Sequence, residues 1–200
     1  MFKSVFAVAL AMVAVPALAQ DAPQNFNGPF VGIQGGWQQD RLGVNIGIDR
    51  GSLKTDGFAY GGQAGYDLRT STGVVIGAEA SLTGNTASTV VDGIELGIGR
   101  TFNATARLGY VLGDKHLIYA RGGYSNARFT ADDGFDKEGG NRDGFTIGAG
   151  YEQAVARNVS ARLEYNYSDY GSEDLGDLVG ARASAGLSRH GITAGLNFRF

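Results

Sequence analysis

The sequence predicts an all-β fold: a transmembrane, eight-stranded, antiparallel, up-and-down β-barrel. Three observations predict it. Apolar residues recur with a period of two from Phe30 to Phe200. Within the strand cores every charged residue lies on the opposite parity. Aromatic residues gather at the strand ends, with Ala, Val, Ile, Leu and Gly between them.

Composition supports a continuous sheet. The 200 residues include 33 Gly and no Cys, so disulfides and thiolate metal sites are excluded. The three prolines are Pro16, Pro23 and Pro29, which leaves 30–200 free of Pro. Proline cannot donate to a sheet ladder, so its absence suits one uninterrupted sheet. With 17 basic and 20 acidic residues the charge is nearly balanced, which gives no footprint for a nucleic-acid partner. The N-terminus has a single cation, Lys3, then an apolar run from Val5 to Val15, then Ala17-Leu18-Ala19. That pattern predicts a secretory signal peptide over 1–19, cut after Ala19. A short periplasmic segment over 20–28 and a barrel domain over 29–200 would follow.

Eight strands are expected in order. "VGIQGGW" puts Val31, Ile33 and Trp37 on one face. "FAYGGQAGYDL" does the same with Phe58, Tyr60, Ala64, Tyr66 and Leu68, opposite Gln63 and Asp67. "VVIGAEASL" sets Ile76, Ala78 and Ala80 against Glu79, and "FNATARLGY" sets Phe102, Leu108 and Tyr110 against Arg107. "IYARGGY" sets Ile118 and Tyr124 against Tyr119 and Arg121. "FTIGAGYE" sets Phe145, Ile147 and Tyr151 against Thr146 and Glu152. "VSARLEYNY" sets Leu163, Tyr165 and Tyr167 against Arg162 and Glu164. "ITAGLNFRF" closes the series with Leu196, Phe198 and Phe200 against Asn197 and Arg199. Short connections near 69–73, 112–116 and 156–158 alternate with long ones near 39–57, 84–100, 127–144 and 169–189, although "IELGIG" could lengthen the fourth strand. Short-long alternation is the layout of an outer-membrane barrel, with turns in the periplasm and loops outside.

The apolar face should meet lipid. A misplaced Arg or Lys at the bilayer midplane costs roughly 2–4 kcal/mol, and the strand cores carry none on that face. Trp37, Phe58, Tyr60, Phe102, Phe145 and Tyr167 fall at the loop ends; Tyr66, Tyr110, Tyr151, Phe198 and Phe200 fall at the turn ends. Two such girdles match the two membrane interfaces. Strands of about nine to eleven residues would span the membrane when tilted. A soluble periplasmic barrel for a small ligand would need the polar face outward, against the girdles.

Taken in order and spacing, the signal peptide, "GFAYGGQAGYDL", "VIGAEASL", "ATARLGYVLGDKHLIYARGGYS", "SARLEYNYSDYG" and "GITAGLNFRF" resemble the OmpA-like family of eight-stranded outer-membrane β-barrels, in particular its small opacity and porin-like members. The resemblance spans the mature chain. It implies the outer membrane of a Gram-negative bacterium, and insertion by the barrel assembly machinery with help from periplasmic chaperones. It implies contact with outer-membrane lipids and lipopolysaccharide, and a monomer. It also makes Leu196, Phe198 and Phe200 the assembly signal, since the last strand looks like the family's C-terminal signal.

The expected interior is ionic. Glu79, Arg107, Arg121, Glu152, Arg162 and Glu164 should form a salt-bridge network, with Glu79–Arg107 and Arg121–Glu152 as neighbouring-strand pairs. Asp67 and Arg199 should sit at the wet periplasmic mouth. Such an interior fits a structural plug, or a narrow ion path that opens when pairs swap partners. A lipid A-modifying enzyme would need a His and Ser on one strand face near the outer interface; His190 and Ser188 do not make the family's motif. No catalytic, cofactor or metal site is expected. The acids Asp132, Asp133, Asp136, Glu138, Asp143, Asp169, Glu173, Asp174 and Asp177 of the long loops are surface groups, open to contact with cations or lipopolysaccharide.

Overall fold

The computed structural model describes residues 25–46, 49–86, 88–91, 94–132, 137–178 and 181–200, with side chains over 25–43, 51–86, 99–128, 140–172 and 185–200. The expected signal peptide and the acids Asp133 and Asp136 lie outside the described residues. So do the side chains of Asp132, Glu138, Glu173, Asp174 and Asp177.

Nine strand segments fill eight barrel positions: β1 (Gly28–Ile46), β2 (Asp49–Arg69), β3 (Val74–Asn85), β4 (Ser88–Val91), β5 (Ile94–Leu112), β6 (His116–Asp132), β7 (Lys137–Ala154), β8 (Val159–Leu178) and β9 (Ala181–Arg199). All pairings are antiparallel. β3 and β4 lie end to end along β5 and count as one stave. β1 pairs with both β2 and β9, and β3 pairs with β5, so the eight staves close over the membrane-spanning part of the sheet.

The strands exceed the expected length. β1 has 19 residues, β2 has 21 and β8 has 20. The Gly-, Asp- and Asn-rich segments expected as long loops continue the ladders as two four-stranded extensions, β2-β1-β9-β8 and β4-β5-β6-β7, and "IELGIG" opens β5. The apolar period stops where lipid stops. Backbone pairing does not need it, because strands facing water on both sides accept polar side chains. At the other end the connections are short, and Gly113 and Asp114 take positive φ of 56° and 62° to turn the chain.

Side-chain direction inverts the order of a soluble protein. Ile33, Leu108, Leu163 and Leu196 are exposed, while Asp67, Glu152, Glu164 and Asn197 are almost wholly buried. The sheet's polar face looks into the lumen. The expected girdle residues Trp37, Phe58, Tyr60, Tyr66, Phe102, Tyr110, Phe145 and Tyr151 all point outward, and Tyr167 is half-buried beside Phe145 and His190.

Two small apolar clusters close the lumen. At the turn end, Phe26 packs with Val75, Val111, Leu117 and Tyr119. Phe26 has a φ of 64°. Its neighbours tie it down: Asn25 Nδ2 donates to the Asp114 carbonyl at 2.9 Å, and Asn27 Oδ1 accepts from the Arg69 amide at 3.1 Å. At the hairpin end, Ala127, Tyr170 and Leu187 pack together with Leu42 against them. Two lumen aromatics need bare backbone beside them. A Cβ on Gly65 would lie 2.5 Å from the Phe30 ring, and one on Gly150 would overlap the Tyr119 ring. Phe26→Ala should remove the lower cluster's central side chain and destabilise the barrel by about 3–5 kcal/mol. Urea unfolding in detergent, followed by heat-modifiable gel mobility, measures this.

Candidate functional site in the barrel interior

The lumen is built in layers from inward parity. Nearest the turn end, Asp67 receives Arg107 through Nε at 2.7 Å and through Nη2, and receives Arg199 Nη1 at 2.8 Å. Glu152 completes this layer. It accepts Arg107 Nη1 at 3.1 Å, Asn197 Nδ2 at 3.1 Å and the Ser160 hydroxyl, with Arg199 Nη2 3.5 Å away. The Arg107 guanidinium lies 4.8 Å from the Phe30 ring centre and 5.1 Å from that of Tyr119. Arg199 lies 5.0 Å from Phe30 on the same ring. These contacts place each cation against a negative π face as well as a carboxylate.

The next layer centres on Glu79. It accepts Arg121 Nη1 at 2.8 Å and Arg162 Nη1 at 2.6 Å. Glu164 accepts Arg121 Nη1 at 3.0 Å, the Tyr119 hydroxyl at 2.7 Å and Asn166 Nδ2 at 2.8 Å. Arg162 Nη2 reaches Gln34 Oε1 at 2.8 Å. Nearer the hairpin end, Arg189 donates through Nε to Asp40 at 2.6 Å and through Nη1 to the Thr101 hydroxyl at 2.7 Å. Its guanidinium lies 5.7 Å from the Tyr170 ring.

Between these closures lies a polar cavity of about 30 Å³, lined by Gln38, Ser81, Asn103, Thr146, Ser168 and Thr193 among others. A water needs roughly 10–15 Å³ of such volume, so the space suits two or three waters. Asn103 Oδ1, Thr193 Oγ1 and Arg189 Nη2 are buried without a protein partner, and water is the group that both donates to and accepts from such a set.

All six expected network residues are buried in the lumen. Their pairing differs from the expectation. Glu79 binds Arg121 and Arg162 rather than Arg107, and Glu152 binds Arg107 and Arg199 rather than Arg121. The reason is geometric. Inward side chains converge on the barrel axis, so a long Arg reaches past its neighbour strand. Asp67–Arg107, Arg107–Glu152, Arg121–Glu164 and Asp67–Arg199 each skip one stave, and Arg162–Glu79 joins β8 to β3 across the lumen. Asp67 and Arg199 are also not at a wet mouth. Phe26 covers that end, and Asp67 is fully buried.

Sequence reasoning missed the Asp40–Arg189 pair because both residues fell in expected loops. Parity alone would have found them. Asp40 continues the inward series Gln34, Gly36, Gln38, and Arg189 continues Asn197, Gly195, Thr193, Gly191; the two face each other across the β1–β9 ladder. The expected assembly residues Leu196, Phe198 and Phe200 all point outward, and the Phe198 and Phe200 rings meet edge-on with centroids 5.2 Å apart.

Removing one partner of a buried ion pair leaves an uncompensated charge. Glu79→Gln strips Arg162 of its only carboxylate partner among the described residues and Arg121 of one of two. It should cost about 3–5 kcal/mol, read as a shift in the urea midpoint of the folded gel species.

The known proteins that this chain resembles agree with that geometry. Residues 5–200 match the family model described as the outer membrane protein beta-barrel domain. The 25 kDa outer-membrane immunogenic protein of Brucella abortus biovar 1 (strain 9-941) is 29% identical over 187 residues, covering 93% of this chain and 85% of that protein. The 22 kDa outer membrane protein of Rhizobium leguminosarum bv. viciae is 30% identical over 186 residues, covering 91% and 83% respectively. Among solved structures, Neisserial surface protein A matches in fold with a TM-score of 0.53 at 19% identity, covering 85% of this chain and 97% of that one. With its closed barrel, lipid-facing exterior and polar lumen, the chain belongs to the outer membrane protein β-barrel domain family, in the outer membrane of Gram-negative bacteria.

Proposed function

We propose that this protein is a sealed structural barrel: a monomer that contributes to envelope integrity and holds its hairpins out as a surface platform. One observation carries this reading. The lumen is filled by five arginines, Arg107, Arg121, Arg162, Arg189 and Arg199, and five carboxylates, Asp40, Asp67, Glu79, Glu152 and Glu164, with an apolar cluster beyond them at each end. The polar cavity of about 30 Å³ between these layers leaves little room for a hydrated ion. A small-conductance channel would have to break cross-barrel bridges such as Arg162–Glu79. The relatives named as outer-membrane immunogenic proteins support the surface-platform part.

An enzymatic reading is disfavoured by the outer-interface histidine. His190 Nδ1 is 2.7 Å from the Tyr165 hydroxyl, and its ring packs against Tyr167. A Ser–His–acid site sets a carboxylate on the imidazole Nδ1; on His190 a tyrosine hydroxyl takes that place. The outward row Leu196, Phe198 and Phe200 suits recognition by the barrel assembly machinery after delivery by periplasmic chaperones.

Reconstituted in planar bilayers, the protein should show no steady conductance steps; nanosiemens-scale steps would sink the sealed-barrel reading. Deleting Phe200 should lower the amount of barrel assembled in cells, while the same variant refolded in detergent reaches the wild-type folded mobility. Normal assembly in cells would refute the assembly role.

A further inference from the structure

The outward face at the hairpin end carries cations set directly against each other. Arg41 on β1 is the register partner of Lys54 on β2. Arg100 on β5 is the register partner of Arg128 on β6. All four are exposed. Like charges directly opposite on a sheet destabilise the pair, and here the same arrangement occurs twice on separate walls.

The described carboxylates nearby make no ion pair with these cations. Each is turned toward neutral donors instead. Asp56 accepts from Gln39 Nε2 at 3.0 Å. Asp143 accepts from Asn126 Nδ2 at 2.7 Å and from the Tyr124 hydroxyl. Asp169 accepts from the Gly171 amide at 2.8 Å and the Tyr167 hydroxyl at 3.1 Å. Among the described residues, Arg41, Lys54, Arg100 and Arg128 have no carboxylate within ion-pair distance.

Position says which anion fits. Arg41 and Lys54 are four residues beyond Trp37 and Phe58, a directly paired couple of the aromatic girdle. Four residues make about 13 Å of strand, or about 10 Å of height at a typical barrel tilt. That is the headgroup level just outside the hydrocarbon, on the side that faces lipid rather than the lumen. Arg41 also borders a surface groove of about 370 Å³ with Ser188, Asp169 and Ser172. The groove opens where β8 and β9 lose register between Asp169 and Ser172 and Gly171 turns to a φ of 72°. It offers hydroxyls, backbone and the Asp169 carboxylate, which suit the hydroxyls of a sugar, with the Arg41 guanidinium at its border for the phosphate.

We propose that these two cation pairs bind the phosphates of an outer-leaflet glycolipid, with the Arg41 groove taking the attached sugar. The site needs only that the hairpin end faces outward, so it stands whether or not the barrel conducts.

The test uses the full mature chain refolded from denaturant in detergent free of lipopolysaccharide. Native mass spectrometry then reads the lipid retained from added bis-phosphorylated lipid A. Wild type should retain it at least tenfold more than dephosphorylated lipid A, a comparison that needs no variant. Arg41→Ala/Lys54→Ala and Arg100→Ala/Arg128→Ala should each lower retention several-fold, and the four together should abolish the preference for phosphate. Lys115→Ala and Arg157→Ala remove exposed cations from the opposite end and should change nothing. The proposal is overturned by equal retention of the two lipid A forms, by an undiminished fourfold variant, or by an equal loss from the opposite-end variants. Stronger binding of a soluble sulfated glycan than of lipid A would overturn it as well.

Discussion

The interior charge network is the constraint on which the rest depends. Charges removed from water are costly unless they are paired and hydrogen-bonded. Here each Arg in the lumen meets a carboxylate; Asp67 and Glu79 each take two Arg, and Glu152 and Glu164 add neutral donors, Ser160 and Asn197 for the one and Tyr119 and Asn166 for the other. A sheet face that holds these groups must be shielded from hydrocarbon, so the other face becomes the lipid face. The outward Val, Ile, Leu and Ala, the two girdles and the closed edge follow from that choice.

Glycine has a defined part in this arrangement. Eight staves leave little room, yet the lumen holds Phe26, Phe30 and Tyr119 beside the guanidinium groups. Bare backbone at Gly65 and Gly150 lets two of these rings lie flat against the wall. The rings in turn offer π faces to Arg107 and Arg199. The abundance of glycine in the sequence is therefore partly a record of aromatic and ionic packing on the opposite strand.

Strand parity made the architecture and the membership of the network legible. Glu79, Arg107, Arg121, Glu152, Arg162 and Glu164 could each be assigned inward from alternation alone. Their partners could not, because parity is a property of one strand and the bridges run between strands that are not neighbours. Strand length was hidden for a different reason. Alternation marks only the part of a strand between lipid and lumen, so the sheet extensions beyond it, rich in Gly and Asp, looked like loops. Asp40 and Arg189 were lost with them, as were Arg41, Lys54, Arg100 and Arg128.

That the bridges skip staves has a consequence for how the molecule reaches this state. Arg162 and Glu79 sit on β8 and β3, which meet only when the sheet has curled shut, and Asp67–Arg199 spans the seam between the first and last strands. A half-curled sheet would hold these guanidinium and carboxylate groups apart. Those two bridges can therefore form only as the β1–β9 seam closes. Until then the groups need water, which makes a wet, sheltered cradle a requirement of insertion. Afterwards the same two bridges must break before the seam can reopen, so closure adds a barrier on the way out that the half-curled sheet lacks.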